Sequence, residues 1–244
     1  MSAKASVIAP LSAPLKMRDR LIVALDVPDA LAAQALVQRI GDAAVVYKVG
    51  LQLFTAAGPD LVRELVQSGK RVFLDLKFHD IPNTVSHAVK SAVELGASML
   101  TVHASGGAAM LRAAVEAADG RLMILGVTVL TSLNDQDLSE TGVSDRSTDQ
   151  VLRLTTLAQN AGCGGVVTSP LEARHLRKSL GEGLAIVTPG VRPLGTDKND
   201  QQRTATPGQA IANGASHIVV GRPITHAADP VQAARAIIAE MERG

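Results

Sequence analysis

Residues 71–84 read Arg71-Val72-Phe73-Leu74-Asp75-Leu76-Lys77-Phe78-His79-Asp80-Ile81-Pro82-Asn83-Thr84. The apolar run that opens this segment predicts a buried strand, and Pro82 favours the first turn of a following helix. Side chains alternate along a strand, so Asp75 and Lys77 are expected on one face. Opposite charges on a buried face are costly unless they pair or do chemistry. The segment therefore predicts a strand–helix unit with a reactive group of charges at its junction.

The same strand-then-helix pattern recurs from residue 20 onward. Short apolar runs alternate with Ala-rich segments at helical spacing. The predicted strands cover residues 21–26, 44–49, 71–76, 98–103, 122–129, 164–168, 184–188 and 216–220. Apolar strands separated by helices are typical of a parallel sheet covered by helices. About eight such units in 244 residues favour a closed (β/α)8 TIM barrel, with an open doubly wound sheet as the alternative.

The chain is expected to form a single domain, residues 19–244, after a poorly ordered leader at residues 1–18. Prolines interrupt the apolar residues of the leader, which an export signal would keep continuous. Two connections, 133–148 and 189–206, are long and polar. Loops of that length in a compact domain are usually functional or mobile, and the second is the candidate lid.

Composition argues against several classes of function. Aromatic residues make up 2% of the chain and the net charge is +1, so neither base stacking nor attraction to nucleic acid or an acidic membrane is expected. No apolar run is long enough to cross a bilayer. The single Cys163 excludes an internal disulfide and a cysteine-based metal cluster, and indicates a reducing cytoplasm. We expect a cytoplasmic protein.

Charged and polar residues recur at the ends of the predicted strands, where barrels of this kind have their active sites. They are Asp26, Lys48, Asp75, Lys77, His103, Thr131, Ser132, Pro189, Arg192, Gly221 and Arg222. A scattered surface distribution would not produce this recurrence. A supporting role fits His103 as well as a catalytic one, and we interpret His79 and His87 as packing or surface residues.

Several of these residues also have a purely structural interpretation. Asp26 is placed to cap the helix that follows Pro28. Lys48 is able to extend from a strand edge to solvent. Asp75 and Lys77 are able to form a structural ion pair. The sequence leaves these alternatives open.

The loops after the seventh and eighth strands predict a phosphate site. Gly221 lets the backbone approach a ligand closely, and the Arg222 guanidinium forks onto phosphate oxygens. Barrels often hold phosphate in these two loops, and the first of them adds Arg192 and Gln201. The residues therefore predict a phosphate grip beside the charges of the third strand.

A catalytic metal is not expected. Asp75 and Asp80 carry the oxygen ligands that Mg²⁺ prefers. Lys77 lies between them in sequence, and Lys48 is expected nearby. The two ammonium groups would repel a dication.

The chain resembles the orotidine 5′-phosphate decarboxylase family from about Arg20 to its C-terminus. The motifs that carry the resemblance are Leu25-Asp26, Tyr47-Lys48-Val49-Gly50, the Asp-x-Lys-x-x-Asp core of residues 75–84, Thr188-Pro189-Gly190-Val191-Arg192-Pro193 and Val220-Gly221-Arg222-Pro223. The resemblance implies decarboxylation of orotidine 5′-phosphate to UMP, the last step of de novo pyrimidine nucleotide synthesis. It also implies that neither metal nor cofactor takes part.

The resemblance further implies a role for each matching residue. An alternating charged array would comprise Lys48, Asp75, Lys77 and Asp80, with Lys77 as the proton donor. The ribose would be contacted by Asp26 and by Thr84 with Asp80, and the pyrimidine by Thr131 or its neighbour Ser132. Ile81 and Pro189 would line the apolar pocket near the leaving carboxylate. The phosphate would be held, or the ring covered, by Arg192, Gln201, Gly221 and Arg222. The site would be completed across a homodimer interface, with Asp80 and Thr84 supplied by the partner.

Two other functions remain open. Related sugar-phosphate decarboxylases, such as 3-keto-gulonate 6-phosphate decarboxylase, share the Asp-x-Lys-x-x-Asp strand but use Mg²⁺. They carry an acid where this chain has Lys48, which favours the metal-free nucleotide decarboxylase. A non-catalytic phosphate-binding barrel is the second alternative, and it would need no array of charges.

Overall fold

The computed structural model describes residues 15–193 and 204–244. Its strands form a closed parallel barrel in chain order, and the last strand pairs with the first. The strands are β1 Leu21–Ala24, β2 Val46–Gly50, β3 Arg71–Phe78, β4 Met99–His103, β5 Met123–Val127, β6 Gly165–Val167, β7 Ala185–Thr188 and β8 His217–Val220. The predicted TIM barrel is confirmed, and the open doubly wound sheet is excluded.

Helices cover the outside of the barrel. They are α1 Met17–Arg20, α2 Ala30–Ile40, α3 Leu51–Gln67, α4 Pro82–Glu94, α5 Gly107–Ala118, α6 Asp135–Glu140, α7 Ser147–Asn160, α8 Ala173–Leu180, α9 Pro207–Ala212, α10 Arg222–Thr225 and α11 Pro230–Met241. None of the helices in the described part of the chain is long and apolar enough to span a bilayer.

The core has two apolar layers because strand side chains alternate between the inside and the outside of the barrel. The larger layer lies between the strands and the helices and contains Leu21, Val23 and Leu25. The smaller layer fills the barrel interior with Ile22, Ala24, Val46, Phe73, Met99, Leu125, Val187 and Val219. Full burial of an aliphatic side chain of this size stabilises the fold by about 1.5–3 kcal/mol. The filled interior also forms a floor beneath the carboxyl ends of the strands.

The 133–148 connection differs from its prediction. It contains α6, whose N-terminus has a capping box in which the Asn134 side chain accepts from the Asp137 amide and the Asp137 carboxylate accepts from the Asn134 amide. These two bonds satisfy backbone donors that the helix leaves unpaired. A six-residue polar helix has too few apolar positions to show helical periodicity, so the prediction of a long loop was wrong.

A second irregular feature of the fold is a kink in α3. The helix begins at Leu51 and kinks at Gly58, whose φ of 67° is left-handed, before Pro59 continues it. The helix therefore starts directly after β2.

Part of the predicted lid lies outside the described residues, including Gln201 and Arg203. Its two described ends are joined by a bridge between Val191 and Ala205, where the Arg192 amide donates to the Ala205 carbonyl at 2.9 Å. The leader is also only partly described, from residue 15 onward, and its extent stays a prediction.

Candidate active site

A cavity of about 540 Å³ opens at the carboxyl ends of the strands, a size typical of small-molecule sites. Nine residues proposed from the sequence line it: Asp26, Lys48, Asp75, Lys77, Thr131, Pro189, Arg192, Gly221 and Arg222. They come from strands and loops far apart in the chain, and the closed barrel brings them together. The cavity floor includes Phe73 and Val219 of the barrel interior.

Four charged side chains on one wall form an alternating series. Lys48 Nζ lies 2.8 Å from Asp26 Oδ1 and 3.9 Å from Asp75 Oδ2, and Lys77 Nζ lies 2.8 Å from Asp75 Oδ1. Lys48 is only 9% exposed, so it does not extend to solvent. The buried Lys48 and the half-buried Asp75 and Lys77 therefore each have a partner of opposite sign, as burial requires, whereas Asp26 is largely exposed.

Two local features explain how Lys48 is accommodated. The helix after Pro28 is capped by Asp29, whose carboxylate accepts from the Ala32 amide at 2.8 Å, so Asp26 remains available to Lys48. Gly50 leaves room for the ammonium group, because a Cβ there would lie 2.8 Å from Lys48 Nζ. The capping interpretation of Asp26 is wrong.

The Asp75–Lys77 pair lies in an irregular stretch of β3. Leu74 pairs with Leu100 and Phe78 with Val102, so three residues of β3 lie between these pairs where β4 has one. Within this bulge Lys77 has a φ of 50°, a left-handed conformation that costs a non-glycine residue about 1–3 kcal/mol. Simple alternation predicted a shared face for Asp75 and Lys77 but not the bulge that contains them. Strain of this kind is often found at functional sites.

Asp80, Ile81 and Thr84 do not line the cavity of their own chain. All three are exposed at the β3–α4 junction. Asp80 Oδ1 accepts from the Ile81 amide at 2.6 Å, and Ile81 is 65% exposed. Within one chain, Asp26 rather than Asp80 completes the alternating series.

The cavity also includes residues that the sequence analysis missed. Gln52, Thr168 and His226 line it, as do several apolar side chains. Thr168 directly follows β6, so the strand-end rule was sufficient to find it. Gln52 lies in the first turn of α3 and His226 directly follows α10, and neither carried a comparable signal. At the position left open after β5, Thr131 lines the cavity and Ser132 does not.

His103 lies beside the charged series without lining the cavity. Its ring centroid is 5.3 Å from that of His79. Burial, and then the neighbouring His79 and Lys77 side chains, lower the pKa of His103 below its usual 6.5. A neutral imidazole here adds no positive charge near Lys77, which fits a supporting role.

The Asp75 carboxylate is engaged in ion pairs. Both of its carboxylate oxygens face ammonium groups. Within residues 15–193 and 204–244, no three His, Cys, Asp or Glu side chains come together as a metal-ligating group.

Comparison with known proteins agrees with this geometry. The model of the orotidine 5′-phosphate decarboxylase / HUMPS family matches residues 19–237. The chain is 52% identical to orotidine 5′-phosphate decarboxylase of Moorella thermoacetica over 234 residues, covering 92% of this chain and 93% of the relative. It is 50% identical to the Sodalis glossinidius enzyme of the same name, covering 95% and 93%. The crystal structure of orotidine 5′-phosphate decarboxylase from Lactobacillus acidophilus superimposes with a TM-score of 0.82 at 39% identity, covering 91% of this chain and 98% of that one.

Proposed function

Because the chain belongs to the orotidine 5′-phosphate decarboxylase / HUMPS family, we propose that it converts orotidine 5′-phosphate to UMP and CO₂ with Lys77 as the proton donor. The observation that carries this choice is Lys48, held between Asp26 and Asp75. The Mg²⁺-dependent sugar-phosphate decarboxylases that resemble this chain carry an acid at that position. An ammonium group there favours the metal-free reaction.

The difficulty of the reaction is a localised negative charge. When the bond between C6 and the carboxylate breaks, its electron pair stays in an sp² orbital at C6 that the ring delocalises poorly. An ammonium group already in place stabilises this charge without reorganisation of solvent. Lys77 then transfers a proton to C6, which gives UMP and leaves a neutral amine. The proton must be regained from solvent before the next cycle.

Asp75 has two proposed tasks. Its oxygens contact both ammonium groups, which keeps the lysines charged and oriented. Substrate binding would bring the leaving carboxylate close to Asp75, and loss of CO₂ would relieve that repulsion. The Asp26–Lys48 pair is proposed to bind the ribose side of the substrate.

The phosphate is proposed to bind at Arg222 and Gly221, with Arg192 from the loop after β7. All three line the cavity. Binding energy from a phosphate far from C6 is able to close a loop over the site and exclude water. The loop at 189–206 is the proposed lid, with Gln201 as its further contact.

We also propose a homodimer in which Asp80, Ile81 and Thr84 enter the cavity of the partner. Their exposure in one chain supports this, as does that of Leu51, which is 57% exposed at the start of α3. Mixed subunits provide the test. Lys77→Ala and Asp80→Ala homodimers should both be inactive, whereas a re-equilibrated mixture should regain about a quarter of wild-type activity because half the dimers hold one complete site. No recovery in a mixture shown to contain heterodimers would contradict a shared site.

The reaction is tested by mixing purified protein with orotidine 5′-phosphate and following the loss of ultraviolet absorbance as UMP forms. Activity should persist in excess EDTA. Loss of activity in EDTA with recovery on adding Mg²⁺ would favour the sugar-phosphate type of chemistry. Nucleotide binding without release of CO₂ would indicate a ligand-binding barrel. A cytoplasmic location is proposed with this function.

A further inference from the structure

The bulge in β3 interrupts the ladder between β3 and β4. Between the Leu74–Leu100 and Phe78–Val102 pairs, three residues of β3 lie opposite the single residue Thr101. Regular pairing therefore cannot supply a partner for every backbone group of the bulge, although buried backbone donors need one. The catalytic pair of the proposed reaction lies inside this interrupted stretch.

The Thr101 side chain supplies what the ladder lacks. Its hydroxyl oxygen accepts from the Lys77 amide at 2.9 Å and donates to Asp75 Oδ1 at 3.1 Å. The same Oδ1 receives the Lys77 ammonium at 2.8 Å. The Thr101 hydroxyl thus contacts the Lys77 backbone and the Asp75 side chain.

Burial makes this arrangement specific. Thr101 is fully buried and does not line the cavity. Water is therefore not available at its position to replace the hydroxyl, and substrate does not reach it. A neighbouring strand fixes Thr101, since β4 pairs regularly with β5 at this level, Thr101 opposite Leu125.

We propose that Thr101 is a positioning residue that holds Lys77 in its left-handed conformation and fixes the Asp75 carboxylate against the Lys77 ammonium. This inference rests on the proposed function. Without the hydroxyl, the Lys77 amide loses its partner and Asp75 Oδ1 keeps only the ammonium. Asp75 is then free to turn towards Lys48, and the proton donor moves relative to C6. Phosphate contacts at Arg222 are unaffected, so the chemical step suffers more than binding.

The test compares Thr101→Val, which keeps the shape and removes the hydroxyl, with Thr101→Ser, which keeps the hydroxyl. Thr101→Val should lower kcat by about 10- to 100-fold, the loss expected when a reacting group is misplaced by an ångström or less. KM for orotidine 5′-phosphate and Kd for UMP should stay within about 3-fold. Thr101→Ser should restore kcat to within about 3-fold of wild type. Thr101→Ala carries the same expectation as Thr101→Val if the latter does not fold.

Thr155→Val is the matched control. Thr155 is equally buried, and its hydroxyl donates to the Val151 carbonyl at 2.7 Å within α7. This variant also removes a fully buried threonine hydroxyl, but away from the cavity, and should keep wild-type kcat. Wild-type kcat in Thr101→Val, or equal loss in Thr101→Ser, would overturn the positioning role. An inactive wild-type protein would instead overturn the proposed function.

Discussion

Positively charged side chains lie at both ends of the barrel, but they bind different partners. At the carboxyl end, Lys48 and Lys77 contact side-chain carboxylates that face an open cavity. At the amino end, Arg20 donates to the Ser216 and Ala215 carbonyls at 3.0 and 2.6 Å. Arg177 likewise donates to the Gly214 and Leu184 carbonyls at 2.9 and 2.7 Å.

This difference separates activity from stability. Backbone carbonyls are fixed by the fold, so cations bonded to them tie the segments before β7 and β8 to the rest of the barrel. Side-chain carboxylates beside a cavity are able to exchange partners when a ligand arrives. Substitutions at the carboxyl end should therefore change turnover, and those at the amino end should change the free energy of unfolding.

Replacement of Lys77 should have the largest effect. Lys77→Ala removes both the charge that stabilises C6 and the proposed proton donor, so kcat should fall by about 10³-fold or more. The circular dichroism spectrum and thermal midpoint should remain close to wild type. Near-normal UMP formation by this variant would exclude Lys77 as the proton donor.

Arg177 provides the counterpart at the amino end. Arg177→Met should lower the free energy of unfolding by about 3 kcal/mol, because it leaves carbonyls without their charged donor. Chemical denaturation measures this loss, and kcat under native conditions should not change. Lys178→Met, at the exposed neighbouring position, is the control and should be nearly neutral. A large drop in kcat for Arg177→Met would break the division between the two ends.

The amino end should also respond to pH through His217. Burial, and then the charges of Arg71 and Arg20, lower its pKa from 6.5 to about 4. The unfolded chain therefore binds the proton more readily, so stability is complete above pH 6.5 and falls as the pH drops towards 4. The loss attributable to His217 should be about 2–3 kcal/mol over that interval.

Denaturation series at several pH values test this linkage. His217→Gln should show a flatter pH dependence than wild type, whereas His87→Gln, at an exposed position, should not. Identical slopes for all three proteins would exclude His217 as the group responsible.

A smaller effect is expected at the proposed phosphate site. Arg222→Ala should lower kcat/KM for orotidine 5′-phosphate by about 10- to 100-fold, because it removes one or two charge-assisted hydrogen bonds to the phosphate. Activity towards the nucleoside orotidine, which has no phosphate, should change little. A change of only a few-fold with the nucleotide would place the phosphate elsewhere.

The carboxyl end was largely predictable from the sequence because of a geometric rule. Parallel strands in a barrel bring their carboxyl ends together, so a residue that ends an apolar run, such as Asp26 or Lys48, falls at the cavity without any knowledge of contacts. The rule fails for Gln52, in the first turn of α3, and for His226, directly after α10, because the direction of these side chains depends on how the helices pack on the barrel.

Other features depend on tertiary context that a run of residues does not encode. The bulge in β3 changes neither the composition nor the apolar pattern of the strand, so the left-handed Lys77 and the role of Thr101 were not predictable. Arg20 and Arg177 act on carbonyls distant in sequence, and an arginine before a strand or within a helix is equally typical of a solvated surface. Asp80, Ile81 and Thr84 require a second chain for their predicted contacts.

The apolar filling of the barrel determines how substrate enters the cavity and how products leave it. Ile22, Phe73 and Leu125 block the path beneath the cavity, so within the described structure the mouth at the carboxyl end serves both arrivals and departures. In the proposed reaction, CO₂ and UMP must leave through the opening by which orotidine 5′-phosphate enters. The proposed lid would then have to reopen once per cycle, and the rate of that reopening would set an upper limit on kcat.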